Sequence, residues 1–593
     1  MSACIAAVLL ILHGEVGAAL INPLAYNPLG SFDVGLGSSV TIDTTLGEIR
    51  VNGVLAFTGV IDNQSGAANT AAGIPELAVF SFDEINIRSG VAVTITGSRG
   101  LALLSREDVT IRSAISVNGG DYGAASPAGG FAGGGAGSPP TAPGGNGGGP
   151  GGGHSSTIGW YAGAGGGGYG GAGGQGGGYT AADSLGGNSY PPIGALAGSL
   201  YGGSGGAAGQ NGDSYGLGGG GGGVLEISAL GQVKLLAPVT SKGGRAGMAV
   251  NSYGGGGGGS GGSIRIAGQT VTLGPSGLVS ANGSDGGAAF GGGGGTAGGG
   301  GGGGRVLIQQ NGVALAGVTA SGGAAIGAAQ PGADGTVEQL VTTVDAGTLA
   351  LNVRIGTGSA SGLTTIARGG NINGALYGLI DHVGAGFTGP TEGTPFSFAP
   401  GIGGIAVQLV PVTYATNSRT TETVTVHSNG GDRALAVGRG VGPTFATNMG
   451  VHANTTINLG STKVGQDSVF HLIINNASTD LGSDSPLTSL GILGVNISGP
   501  DAAAFSVDNL IPSTLFEQQF ANLPIHFEPT ELRSYSATLT IQTDQGAANG
   551  ALGQAFTYQL FGGGIVKVTL PEPTTALLAG VGAMMMAVGR RRE

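Results

Sequence analysis

Charge is scarce in this sequence. Only 9% of its 593 residues are Asp, Glu, Lys or Arg, and the net charge is −12. Disordered chains are usually polar and charged, so this composition does not belong to an ordinary disordered chain. Phosphate recognition needs clustered Lys and Arg. No such cluster occurs before the last few residues, so no nucleic-acid partner is expected. Cysteine is nearly absent: Cys4 stands alone inside an apolar leader-like stretch. With that stretch removed there is no disulfide, no thiolate metal site and no Cys nucleophile. Aromatics make up 5% and Trp160 is the single tryptophan, so stacking platforms for bases or sugars are sparse.

What the chain has instead is glycine, 133 residues of it, far above the usual share of about 7%. The glycine comes in tracts separated by short segments of alternating apolar residues, which read as half-buried strands. Ile85-Asn86-Ile87, Val91 to Ile95, Leu101-Ala102-Leu103 and Val109-Thr110-Ile111 follow one another closely. A larger unit then recurs about every 40 residues. Leu225-Glu226-Ile227 leads to Val233, Leu235 and Val239. Ile264-Arg265-Ile266 leads to Val271, Leu273, Leu278 and Val279. Val306-Leu307-Ile308 leads to Val313, Leu315 and Val318. Such a unit cannot bury its apolar face alone but can do so stacked on its neighbours. The repeat predicts a parallel β-solenoid over about residues 25–340, similar to pectin-lyase-like β-helices, with glycine-rich excursions from one face. The largest excursion, about 119–223, carries Trp160, Tyr161, Tyr169 and Tyr179. Glycine has the highest ordering entropy and no side chain to bury. Two states are open to the tracts: flexible surface loops, or extended helices packed backbone to backbone.

Glycine thins after Leu340 and a second repeat of about 110 residues begins. Asn352-Val353-Arg354-Ile355-Gly356 corresponds to Ser461-Thr462-Lys463-Val464-Gly465, and Thr423 to Gly430 corresponds to Thr538 to Gln545. Many short strands with turn signals between them predict two β-sandwiches, 345–445 and 457–565. In the second, Ile497-Ser498-Gly499-Pro500-Asp501, Ile525-His526-Phe527-Glu528-Pro529 and Tyr535 to Ile541 stand in sequence. This resembles the choice-of-anchor D domain, related to Hydin-like immunoglobulin domains; the first unit looks like a degenerate copy. In bacterial surface proteins the resemblance implies spacer or adhesive modules.

The two ends carry sorting features. Residues 570–593 contain Leu570-Pro571-Glu572-Pro573, an uncharged run from Thr574 to Gly589, and Arg590-Arg591-Arg592. The run is shorter than the roughly 20 residues of a full membrane span, so a short, transient C-terminal transmembrane helix is expected. The arginines would stay cytoplasmic, and the two prolines hold Glu572 in an extended, accessible segment. The arrangement resembles the PEP-CTERM sorting signal of Gram-negative bacteria, with Leu570 where the family usually has Val. The resemblance implies processing by the membrane transpeptidase exosortase. At the other end, the apolar run Ala3 to Leu12 and Val16-Gly17-Ala18 read as a signal peptide, 1–18, with its peptidase site. No Lys or Arg precedes Arg50, so the usual basic n-region is missing.

Searching the rest for chemistry yields little. His13, His154, His382, His427, His452, His471 and His526 show no metal-pair spacing. Asp381-His382 has no serine elbow or third partner. Glycine-flanked Asp213, Asp285 and Asp334 lack the strict period of calcium-binding nonapeptides. Arg106-Glu107-Asp108 is the one dense charged cluster, expected as a solvated turn. The expectation is therefore an all-β, non-enzymatic, exported cell-surface or matrix protein with no metal, no cofactor and no catalytic residues. Its expected partners are exosortase and extracellular polysaccharide. An adhesin or carbohydrate-binding protein is the first alternative, a polysaccharide-degrading β-helix enzyme the second.

Overall fold

Alternation of apolar and polar residues becomes sheet wherever the chain can pair. A computed structural model describes residues 21–136, 143–156, 161–178, 184–191, 199–209, 216–249, 253–289, 296–371, 373–399, 407–450, 455–482, 484–509 and 513–566. Among these residues the architecture is all-β, with three isolated turns of 3-10 helix. Among the described residues no helix is long and apolar enough to cross a membrane. The expected signal peptide and C-terminal helix fall outside them.

Among the described residues before 340, three long parallel ladders recur, beside a smaller sheet in which Ser39–Asp43 pairs in parallel with Ala92–Thr96. One pairs Phe32–Val34, Ile85–Ile87, Val109–Ile111, Val233–Leu235 and Val271–Leu273 in register. A second pairs Ile115–Ser116, Val239–Thr240, Val279–Ser280 and Val318–Thr319. The third pairs Leu77–Phe82, Gly100–Ser105, Val224–Ala229, Ser263–Ala267 and Arg305–Gln310. The passes that begin at Val224 and Ser263 visit the third, first and second ladders in that order and then enter a glycine tract; the pass from Arg305 goes from the third ladder to the second without a strand in the first. Leu225, Ile227, Val233, Leu235 and Val239 point inward, as do Ile264, Ile266, Val279, Val306 and Ile308 in later passes, all fully buried. Equivalent residues stack on one another, so a single apolar core runs through the passes. Truncating one such side chain to Ala typically costs about 2–5 kcal/mol.

The glycine tracts pack, and their hydrogen bonding follows a period of three. Gly255, Gly258 and Gly261 donate to the carbonyls of Thr296, Gly299 and Gly302. Gly256, Gly259 and Gly262 donate to Gly247, Gly244 and Ser241; Gly257 and Ser260 donate to Ala207 and Ser204. Each tract thus bonds three neighbours in rotation. The tracts around 164–168 and 298–304 repeat the pattern with partners of their own. Three residues per turn without internal hydrogen bonds is polyproline-II geometry. The bonds satisfy backbone groups that burial would otherwise leave costly. Only glycine fits: a Cβ at Gly257 would overlap the carbonyl oxygen of Gly165, and one at Gly261 that of Ala281. Of the two states open to the tracts, the structure takes the packed one.

The third ladder does not stop at the expected boundary near 340–345. Thr336–Ala346 pairs in parallel with Arg305–Gln310, then antiparallel with Ala360–Gly370, which in turn pairs with Val407–Tyr414. These strands face a five-stranded sheet containing Leu349–Arg354, Arg433–Val441, Thr421–Ser428, Leu376–Val383 and Pro395–Phe398. Between them lies a core that includes Ile366, Leu376, Tyr414, Val424 and Leu435. A further pair of sheets, with four and five strands, follows from Phe445 to Ile565. Ser534–Thr543 alternates strictly there, with Leu539 and Ile541 buried and Thr538 and Thr540 half-exposed. One sheet therefore runs from the N-terminal ladders into the first two-sheet unit.

Candidate functional site

The residues singled out at the termini, Val16-Gly17-Ala18, Leu570-Pro571-Glu572-Pro573 and Arg590-Arg591-Arg592, lie outside the described residues, as do Trp160, Tyr179, His13, His452 and Asp213. Of the other candidates, Asp381 and His382 are exposed neighbours on one strand. Among the described residues no group of three or more His, Cys, Asp or Glu is placed to hold a metal. Asp285 and Asp334 each use a carboxylate oxygen to accept a backbone N–H, from Ala324 at 2.7 Å and Gly322 at 2.9 Å.

Arg106-Glu107-Asp108 is more than a solvated turn. It forms the corner between the third and first ladders, where each member is tied. Arg106 donates to the Tyr26 carbonyl at 2.9 Å. Asp108 receives the Gln232 N–H at 2.7 Å and faces Lys234 Nζ at 3.3 Å. Glu107 lies 3.9 Å from His427 Nε2 of the first two-sheet unit. The Nδ1 of His427 is 2.7 Å from Asp432. Burial opposes the imidazolium, but the bond to Asp432 and the carboxylates of Asp432, Glu107 and Asp381 outweigh it and raise the pKa above the usual histidine value. Burial raises the Glu107 carboxyl as well. Sequence spacing could not signal this cluster, because its members lie more than 300 residues apart.

Of the described aromatic residues of the large excursion, Tyr161 is exposed, whereas Tyr169 turns inward with Tyr190 and Tyr201. Tyr169 is fully buried, its hydroxyl 2.6 Å from Ser263 Oγ, and it packs on Tyr190 and Tyr201. The guanidinium of Arg305 lies 5.5 Å from the Tyr169 ring centre and donates to the Pro191 carbonyl at 2.6 Å. Burial pushes the Tyr169 hydroxyl up to about 12. These rings fasten the glycine tracts to the third ladder, and their faces are not offered to a ligand.

An open groove of about 800 Å³ lies where the second ladder passes into the glycine tracts. Its walls come from one four-residue position repeated in successive passes: Asn118-Gly-Gly-Asp121, Lys242-Gly-Gly-Arg245 and Asn282-Gly-Ser-Asp285. The end positions form two polar rows and the glycines between them a bare backbone floor. Side chains bond from pass to pass: Asn118 Oδ1 accepts the Lys242 N–H at 2.8 Å, and Asp121 Oδ1 accepts the Arg245 N–H at 2.7 Å. Asn282 and Asp285 do the same for Ser321 and Ala324, at 2.9 and 2.7 Å. A second, shallower concavity of about 450 Å³ beside the first ladder is lined by Asn86, Arg88 and Arg112. Sequence analysis missed the groove. The signal was present in the spacing of Asn118, Lys242 and Asn282, but hidden by the long excursion between the first two.

No family model matches the chain, and no curated protein matches it. Solved structures give slight likenesses. A Porphyromonas gingivalis protein of unknown function is 10% identical with a TM-score of 0.16, covering 37% of this chain and 99% of its own. An I-band fragment of titin is 8% identical with a TM-score of 0.14, covering 40% and 69%. The sialic acid binding region of a Streptococcus sanguinis adhesin is 9% identical with a TM-score of 0.14, covering 38% and 78%. At these scores none bears on the function of this chain.

Proposed function

We propose that this protein is a non-enzymatic structural component of the cell surface or extracellular matrix of a Gram-negative bacterium. In this reading residues 25–340 are a glycine-rich β-solenoid, and 345–445 and 457–565 are two Ig-like sandwiches, the second of choice-of-anchor D type. Residues 570–593 are the PEP-CTERM signal that exosortase processes, holding the chain at the membrane only transiently. Residues 1–18 are the signal peptide. The observation that carries the reading is mechanical. A sheet shared between the ladders and the first sandwich, backed by tracts bonded through their backbones, makes a stiff body suited to spacing and scaffolding. Extracellular polysaccharide is its expected surrounding partner.

The test is mass spectrometry of the C-terminal peptide of protein recovered from the surface of the native host. A terminus near Pro571-Glu572-Pro573, with the Met-rich run gone, is expected. An intact Arg590-Arg591-Arg592-Glu593 end in the membrane fraction would mean a permanent anchor and remove exosortase as a partner. The groove along Asn118, Lys242 and Asn282 favours a second reading, a carbohydrate-binding surface protein.

A further inference from the structure

The groove has an imbalance at its middle pass. At the equivalent positions of the neighbouring passes, Asn or Asp supplies a carbonyl or carboxylate oxygen to the N–H of the next pass. Lys242 and Arg245 occupy those positions in the middle and have no acceptor atom in their side chains. Among the described residues, the backbone N–H groups of Asn282 and Asp285, which stand where Lys242 and Arg245 should cap them, meet no acceptor. The Lys242 ammonium and the Arg245 guanidinium meet no carboxylate either. The side chains of Arg245 and Asp285 are exposed and Lys242 is half-exposed. One short stretch of the groove thus holds two cations and two backbone N–H groups that meet no protein acceptor, between side-chain oxygens already committed to the N–H groups of the following pass.

We propose that this stretch binds the carboxylate of an acidic polysaccharide. Lys242 and Arg245 supply charge-assisted bonds to the carboxylate oxygens, and the amides of Asn282 and Asp285 complete their coordination. The surrounding Asn118, Asp121, Asn282 and Asp285 match a sugar's hydroxyls, because each amide or carboxylate side chain retains oxygen lone pairs beyond its backbone bond. Asp121 and Asp285 flank the cations with negative charge, which disfavours a chain with several charges on each sugar and suits a single carboxylate set among hydroxyls, as in a uronate. Neighbouring passes of a β-ladder lie about 4.8 Å apart, close to the rise of one sugar unit along an extended chain. The glycine floor lets such a chain lie flat. The inference rests on the polysaccharide partner proposed above and narrows it to a carboxylated one.

The experiment compares retention of the full chain on immobilised polygalacturonate and on neutral dextran. Native protein is expected to be held by polygalacturonate and not by dextran. The double variant Lys242→Gln, Arg245→Gln is expected to bind about tenfold more weakly or worse, as two charge-assisted bonds are lost. A second double variant, Lys242→Asn with Arg245→Asp, restores the side-chain ladder. It is expected to melt no lower than the native protein while losing polygalacturonate. Unchanged retention of either variant, or no native binding to polygalacturonate, would overturn the proposal. Equal native retention on dextran would overturn the uronate preference and leave the broader polysaccharide partner standing.

Discussion

Arg354 and Asp544, 190 residues apart in sequence, form a buried ion pair of 2.9 Å between the two two-sheet units. The guanidinium also donates to the carbonyls of Ser489 at 2.7 Å and Ala547 at 2.8 Å. Asp544 accepts the N–H groups of Gly491 at 2.8 Å and Gly550 at 2.9 Å. Both side chains are almost wholly excluded from water. Breaking such a pair leaves one buried charge without its partner, at a cost of about 3–5 kcal/mol. Arg354→Met is therefore expected to lower the melting temperature sharply. Arg354→Met combined with Asp544→Leu is expected to recover part of the loss. Thermal unfolding of Arg354→Met, Asp544→Leu and the double variant as a double-mutant cycle checks this; additive losses would show that the two side chains act independently.

The glycine packing makes a position-specific prediction. Gly257→Ala places a methyl against the Gly165 carbonyl and is expected to destabilise by about 1–3 kcal/mol, the usual range for overpacking. Gly135 is exposed with open space where its Cβ would go. Gly135→Ala is expected to be neutral or stabilising by up to about 1 kcal/mol, through the unfolded chain. Denaturant midpoints of the two variants decide the matter.

Backbone bonding in the tracts is readable by hydrogen exchange. The amides of Gly255, Gly258, Gly261 and Gly302 are expected to exchange as slowly as those of Ile264 and Ile266 in the neighbouring ladder. Exchange at the rate of a free peptide would show the tracts to be loops.

The corner at Glu107 gives its contact with His427 of the first two-sheet unit a pH dependence. The folded-state pKa of His427 lies above the ordinary value. Its contribution is therefore fully present below about pH 6.5, the unfolded value, and is lost as pH rises through the higher folded value. The Glu107 carboxyl, raised by burial, acts in the same direction at lower pH: it favours the fold while protonated and less so once ionised. The charged groups around the imidazole are Asp432, Glu107 and Asp381. The melting temperature is expected to fall from pH 6 to pH 8, and His427→Asn to flatten that slope. A slope unaltered in the variant would move the effect to another group, such as His526 beside Asp467.

Much of the ladder architecture is legible in the sequence, because Leu225-Glu226-Ile227 and its successors alternate with the two-residue period of a strand and recur at the spacing of a pass. The fate of the tracts is not legible. Glycine carries no side-chain pattern, and a period of three in hydrogen-bond partners leaves no period of three in composition. The boundary near 340–345 was read from thinning glycine, but Thr336–Ala346 crosses it because a strand answers to its partners on both sides. Arg265, between the core residues Ile264 and Ile266, lies on the opposite face of its strand. It is buried against Glu226 of the adjacent pass, since the N-terminal segment at Ile21 covers that face and donates its N–H to the same carboxylate at 2.8 Å. Pairings such as these depend on coverage by distant segments, which local periodicity does not encode.

The bundle of glycine tracts also has a thermal consequence. An interior of leucine and valine is held by a force that weakens on cooling and carries a large heat capacity of unfolding. An interior of peptide groups contributes to that heat capacity with the opposite sign. The part of this molecule built from Gly255, Gly258, Gly299 and Gly302 therefore flattens the stability curve of the whole. Its hold on the ladders persists in the cold, where a side-chain core of the same volume would be losing its grip.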